Sequence, residues 1–364
     1  MKAAVVSQLD GTFRVEDVEI GEPTGAEVLV RVKASGLCHS DLHLAETDFG
    51  IPLPAVFGHE LAGIVEAVGP DVTEFVIGDH VVASLIQFCG HCFPCHDGRT
   101  YQCNHPEETL RVEGEPSRLH RSGAPLMQVF GTGGFAEQTL VHQNQLVAVP
   151  KEMPFPQAAL LACGTVTGAG AILNTAKVRP GETVAVIGIG GVGLNVISGA
   201  ILASAGRIIA IDNQPRKEAL ARKFGATDFI NPNDGDPVAA VKALIPGGVD
   251  HAFEVIGLKS TAEISIKMLR TGGTAYMIGA HKPGSAIDLN VQDDLVGLQK
   301  SVRGVYMGSS NFKHDIPMYA NLYLQGRLNL DDLLSREIDI SEINEAYEEL
   351  KSGEIARSVI TSFR

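Results

Sequence analysis

The chain has 364 residues, 45% of them apolar and 20% charged, with 40 glycines. At about 150 residues per domain this predicts two globular domains with many tight turns and excludes a disordered chain. The 29 basic residues stand against 43 acidic ones, a net charge of −14, which repels nucleic acid and anionic membrane surfaces.

The opening segment has too few consecutive apolar residues for a secretory core, so the expected location is the cytoplasm. Residues 1 to about 150 carry short alternating runs, such as 27–32 and 63–68, separated by Gly, Pro and Asp. That is the pattern of an antiparallel, barrel-like region. Residues 104–127 form a polar insertion containing Pro and Gly, expected to be rich in loops. Beyond Pro150 the rhythm becomes strand, helix, strand, with candidate strands at 183–187, 207–212, 228–230, 249–254, 273–278 and 302–306. Six strands in this order suit a doubly wound parallel sheet, so the fold class is α/β. Helix-like segments at 317–328 and 343–351 and an apolar strand near Val359 complete the chain. The uncharged stretches 153–176 and 183–206 are long enough to cross a membrane. Pro, Thr, Ser, Asn and Gly interrupt both, and a buried α/β core accounts for them, so no membrane partner is expected.

Residues Thr183 to Gly193 read as a strand running into G-x-G-x-x-G. Gly188 permits the tight turn, Gly190 lets backbone approach a pyrophosphate, and Gly193 lets the next helix pack on the strand. Gly191 and Val192 open that helix, whose N-terminus favours an anion. A second strand ends at Asp212, 19 residues after Gly193, the spacing of an acid that bonds a ribose 2′-hydroxyl. An acid there repels a 2′-phosphate, so NAD is expected over NADP. Lys217 is a candidate for the adenosine ribose, with a solvated helix lysine as the alternative.

Cys89, Cys92, Cys95 and Cys103 follow C-x2-C-x2-C-x7-C, a spacing that lets one loop wrap a tetrahedral zinc. Two disulfides or an iron–sulfur cluster are the alternatives. Four sulfurs close such a site to substrate, so its zinc is structural. Cys38 and Cys163 remain, with His59 between them. Two sulfurs and one imidazole make an open catalytic zinc site, but spacing alone describes two buried thiols and a core histidine equally well.

Gly58-His59-Glu60-x-x-Gly63-x5-Gly69-x2-Val72, the four-cysteine lobe and the glycine fingerprint together resemble the medium-chain zinc-dependent alcohol dehydrogenases over nearly the whole chain. The resemblance implies a GroES-like barrel domain, residues 1–164 with 307–364, and an inserted Rossmann-type NAD domain, 165–306. It implies two zincs per chain, the catalytic one on Cys38, His59 and Cys163, with Asp41 orienting His59 and Glu60 behind the metal. Ser40 would accept the alcohol proton and pass it through the cofactor ribose toward His43 near solvent. Zinc would acidify the alcohol, and hydride would move to the nicotinamide. Thr167 resembles a nicotinamide-side contact. His39 stands where relatives often place an arginine against the pyrophosphate, and Arg357, in Gly353-Glu354-Ile355-Ala356-Arg357, matches a second phosphate-binding arginine.

By the same resemblance Phe49, Leu85, Val129, Phe130, Ala280 and Tyr306 face the substrate, implying primary alcohols with a hydrophobic tail or ring. Glutathione-dependent formaldehyde dehydrogenases, which act on S-(hydroxymethyl)glutathione, are the nearest competitors, but carry an acid where this chain has Phe49. A non-catalytic zinc-stabilised nucleotide-binding protein is the alternative from another class, and a zinc-ribbon nucleic-acid module conflicts with the −14 charge. Relatives assemble through nucleotide-domain edge strands, here near 302–306, so a homodimer or homotetramer is expected.

Overall fold

Val28, Val30, Val32 and Ala34 are buried at every second position of the strand Glu27–Gly36, while Arg31 between them is exposed. Period-two burial of this kind lets a strand give one face to a core and the other to solvent. This computed structural model describes residues 1–112, 114–353 and 356–364, which divide into two units, Met1–Cys163 with Asn311–Arg364, and Gly164–Ser310.

In the first unit Glu27–Gly36 lies between Glu60–Val68 and Arg357–Ser362, pairs with Gln138–His142, and belongs to a seven-stranded sheet. Its core neighbours include Leu61, Val65, Val81 and Leu146. A six-stranded sheet runs from Arg14–Asp17 through Lys2–Val6 to Glu19–Ile20. The C-terminal strand Arg357–Ser362 pairs Val359 with Gly36 and Ile360 with Ser35, so both ends of the chain build this barrel-like unit. The insertion 104–127 is more regular than its composition suggests. Leu119–Arg121 and Ala124–Gln128 form a hairpin whose two turn residues, Ser122 and Gly123, both have positive φ, the twist a two-residue turn requires.

The second unit is a fully parallel six-stranded sheet in the order Asp228–Ile230, Arg207–Ile211, Thr183–Ile187, Val249–Glu254, Leu269–Met277, Ser301–Gly304. This is the 3-2-1-4-5-6 order of a doubly wound dinucleotide fold. Leu269–Met277 starts before the expected 273 because the ladder pairs Val249 with Leu269, breaks, and resumes at Thr274. Gly272, at φ +77°, absorbs the irregularity. The last strand shifts to Ser301–Gly304 for want of ladder partners beyond Met277. The helix expected at 317–328 is Phe312–Leu324: Pro317 lies inside it rather than at its start.

The stretch 183–206 is a strand and a separate helix, Gly191–Leu202. Phe155–Ala176 is one 22-residue apolar helix, and 89% of its most apolar window is buried within the protein. It is a core helix.

Candidate functional site

Three elements converge on one buried group. Cys38 lies between the strand Glu27–Gly36 and the helix His39–Glu46. His59 precedes the strand Glu60–Val68, and the ladder places Glu60 opposite Gly36. A Cβ at position 36 would lie 2.5 Å from Glu60 Oε2, so any larger residue there would displace the buried carboxylate. Gly58, at φ +97°, turns the chain into His59, and a Cβ on it would lie 2.6 Å from the Phe135 amide nitrogen. Cys163 comes from the apolar helix. One ligand atom each of Cys38, His59, Glu60 and Cys163 lies within 4.8 Å of the others, and all four residues are buried.

The surroundings fit a metal. His59 Nδ1 donates to Asp41 Oδ1 at 3.0 Å, and the same oxygen accepts the Gly58 N–H at 3.1 Å. That leaves His59 Nε2 buried without a hydrogen-bond partner, beside two thiols. A buried ring nitrogen so placed, facing two thiols, is suited to coordinate a metal once the imidazole is neutral. Burial works against charge on His59, but Asp41 and Cys38 outweigh it and hold the imidazole pKa well above its ordinary value. A hydrogen bond from Cys163, with help from His59, holds the Cys38 thiol well below its usual range. Burial pushes Glu60 up to about 7 against the pull of Arg357, whose Nε is 3.6 Å from Glu60 Oε2. Ser40 Oγ is 3.7 Å from Cys38 Sγ. His43 lies one turn further along the same helix, partly exposed. Phe130, at φ +56°, sets its ring edge against His59, centroids 5.9 Å apart.

The second thiol group is local. The sulfurs of Cys89, Cys92, Cys95 and Cys103 cluster with separations of 3.3 Å (Cys92 to Cys95), 3.8 Å (Cys92 to Cys103) and 4.0 Å (Cys89 to Cys95). None is in a disulfide. Cys103 Sγ accepts the N–H groups of Cys89 (3.2 Å) and His105 (3.3 Å). The Asn104 amide holds the Cys92 thiol down to about 6, while burial pushes Cys95 up to about 12. Four convergent sulfurs supplied with backbone donors fit one tetrahedral thiolate-bound zinc. Nearby, His91 Nε2 is hydrogen-bonded to Glu108 at 2.8 Å.

In the second unit Gly188 has φ +100°, and a Cβ on Gly193 would lie 1.9 Å from Gly188 O, so turn and helix touch. A Cβ on Gly190 would meet nothing within 4 Å; that side of the turn is free for a ligand. Gly190 caps the helix Gly191–Leu202, which begins with Gly191 and Val192. Asp212 Oδ2 accepts from the Ile189 N–H (2.8 Å) and Lys217 Nζ (2.9 Å), fixing its carboxylate beside the turn. This cradle fits a dinucleotide. Thr167 is buried, its Oγ1 3.6 Å from Met307 Sδ.

Of the remaining residues, His39 is exposed at the first turn of its helix. Arg357 is buried against Glu60, and Glu354 and Ile355 of its motif lie outside the described residues. Leu85 and Val129 are buried, whereas Phe49 and Tyr306 are 43% and 55% exposed and Ala280 is exposed. Glu254, buried at the end of Val249–Glu254, is absent from the sequence reading. An acid closing an apolar strand beside the glycine turn was the available signal.

Residues 24–151 match the model of the alcohol dehydrogenase GroES-like domain, and 191–323 that of the zinc-binding dehydrogenases. The chain is 38% identical to the class-3 alcohol dehydrogenase of Drosophila melanogaster over 99% of its length and 97% of that protein's. It is 36% identical to an S-(hydroxymethyl)glutathione dehydrogenase of Escherichia coli O6:H1, with 99% of each chain covered. The crystal structure of benzyl alcohol dehydrogenase from Acinetobacter calcoaceticus superposes with a TM-score of 0.93 at 35% identity, covering 100% of this chain and 99% of that one. A barrel-like unit with two buried thiols beside an imidazole, and a doubly wound sheet with a glycine turn, suit a two-domain metal-dependent dehydrogenase. The chain belongs to the medium-chain zinc-dependent alcohol dehydrogenase family. It is an oxidoreductase that uses zinc and NAD to interconvert small alcohols and aldehydes.

Proposed function

We propose that Cys38, His59 and Cys163 hold the catalytic zinc, that Cys89, Cys92, Cys95 and Cys103 hold a structural zinc, and that the substrate is a primary alcohol with a hydrophobic or aromatic tail. The observation that carries this reading is the buried, unpartnered Nε2 of His59 beside two thiols, with Nδ1 committed to Asp41. When bound, the metal supplies Lewis acidity to an alcohol oxygen and NAD supplies the hydride acceptor.

The protein's own residues do the rest. Asp41 keeps the proton on His59 Nδ1 and holds the ring in place. Ser40 Oγ receives the alcohol proton as it gives up its own hydroxyl proton toward His43, the exit base nearer solvent. Glu60 and Arg357 pair behind the ligands and balance charge. In the nucleotide unit, amides from Gly190 to Gly193 take the pyrophosphate; His39 and Arg357, which belong to the barrel-like unit, are further phosphate-binding side chains. Asp212, assisted by Lys217, takes the ribose hydroxyls, and Thr167 lies at the nicotinamide side. Domains 1–164 with 307–364 and 165–306 divide these tasks. Assembly is a homodimer or homotetramer through the edge strand Ser301–Gly304, in the cytoplasm.

Phe49, Leu85, Val129, Phe130, Ala280 and Tyr306 give the substrate an apolar or aromatic wall. Phe49 stands where the glutathione-dependent relatives carry an acid, with Asp48 beside it. The class-3 and S-(hydroxymethyl)glutathione relatives support a second reading, turnover of the glutathione adduct. Steady-state kinetics with NAD separates the two. kcat/KM for benzyl-type or medium-chain alcohols above that for S-hydroxymethylglutathione supports the first reading, and the reverse order overturns it.

A further inference from the structure

Glu254 closes the strand Val249–Glu254 level with Ile187, the last strand residue before the glycine turn. It is fully buried. Its Oε1 accepts three hydrogen bonds, from the N–H groups of Ile256 (2.9 Å) and Gly257 (2.8 Å) and from Thr261 Oγ1 (2.7 Å). Its Oε2 is equally buried and accepts none. Among the described residues, the basic group within ion-pair distance of that oxygen is His281, Nε2 at 3.4 Å, on a side chain one-quarter exposed.

The pair spans two loops. The Glu254 carbonyl accepts the N–H groups of Ile278 (2.9 Å) and Gly279 (3.1 Å). A Cβ on Gly257 would lie 2.6 Å from Ala280 O, and one on Gly279 would lie 2.1 Å from the Gly257 nitrogen. The segment after Glu254 and the segment after Met277 therefore touch backbone to backbone, with room for glycine alone. Both leave the carboxyl ends of adjacent parallel strands, where a doubly wound sheet binds its ligand. A buried carboxylate oxygen without a donor is costly, and the His281 imidazole, 3.4 Å away, is close enough to supply one by a small turn of its ring.

We propose that His281 is a positioning residue: by donating from Nε2 to Glu254 Oε2 it ties the segment carrying Ala280 to the neighbouring strand end and holds the wall of the dinucleotide crevice in its binding shape. The proposal rests on the NAD site assigned above. Loss of the donor frees the 278–285 segment and weakens cofactor binding without touching the metal ligands. A glutamine at 281 can present its amide N–H where the imidazole presents Nε2–H.

The test uses the full chain in three forms, wild type, His281→Ala and His281→Gln. Hydrogen exchange of peptides covering 278–285 is measured without cofactor, and NADH affinity by fluorescence titration. In the alanine variant, exchange of this segment speeds up about tenfold and the NADH Kd rises about tenfold, while kcat at saturating NAD stays within about threefold. The glutamine variant returns exchange and Kd to within about twofold of wild type. Unchanged exchange and Kd in the alanine variant overturn the proposal, as does a glutamine variant that behaves like alanine. A wild-type chain that fails to bind NADH contradicts the NAD site instead, and the exchange comparison still decides the tie.

Discussion

Cys38, His59 and Cys163 come from three separate elements and meet in the interior, whereas Cys89, Cys92, Cys95 and Cys103 come from one lobe fifteen residues long. The buried group is supported by side chains: Asp41 behind His59, and Glu60 with Arg357 behind the thiols. The lobe is supported by its own backbone, with N–H groups of Cys89 and His105 aimed at Cys103 sulfur. A ligand set wired through side chains can be tuned one residue at a time and needs the whole fold to assemble. A set wired through its own loop assembles locally and lends its binding energy to folding.

Substitutions in the two groups should therefore fail differently. His59→Ala or Cys163→Ser should lower kcat/KM about 10³-fold or more and remove one of two zincs, with the lobe's zinc retained in metal analysis. Cys103→Ser should leave the buried ligands intact but destabilise the chain by on the order of several kcal/mol, visible as a lowered Tm. Equal loss of zinc and stability in both variants would erase the distinction. Asp41→Asn, which keeps the shape but weakens the acceptor for His59 Nδ1–H, should cost about 10–100-fold in zinc affinity or kcat/KM. Asp212→Asn should raise KM for NAD about tenfold with little change in kcat, because it touches binding and not the reacting atoms.

A further effect concerns how the segment beyond the lobe is fastened. Burial would raise the Glu27 pKa, but hydrogen bonds from Arg111 and from the Thr24 amide, with the charge of Arg118, bring it down from 4.5 to about 2. Both arginines lie beyond the lobe, and Glu27 begins the central barrel strand. A depressed folded-state pKa means stability that is fully present above pH 4.5 and is lost as pH falls toward 2, here on the order of 2–3 kcal/mol. Denaturant unfolding between pH 5 and pH 2 should show a shallower acid limb for Glu27→Gln than for wild type.

The same contrast governs what could be read from the sequence. The four-cysteine spacing and the strand running into Gly188, Gly190 and Gly193 are local patterns, and each is legible without a fold. The trio Cys38, His59 and Cys163 is legible only through its family resemblance, since no spacing rule brings such distant positions together. The doubly wound sheet was readable because each strand is a short apolar run. The strand expected at 273–278 begins at Leu269, which only the partner strand reveals, since the ladder pairs Val249 with Leu269, breaks, and resumes at Thr274. The Ser122-Gly123 turn was visible as a dipeptide but hidden in a polar tract. The Glu60–Arg357 pair and the buried Glu254 depend on strand register, which residue pattern alone does not specify.

Anomalous diffraction at the zinc edge from crystals of the intact chain tests the central assignment most directly. The account predicts two peaks per chain, one inside the four sulfurs and one bound by Cys38 Sγ, His59 Nε2 and Cys163 Sγ, with its fourth ligand a water or alcohol oxygen. A single peak, or a second zinc sealed by Glu60 as a fourth ligand that no alcohol displaces, would contradict it.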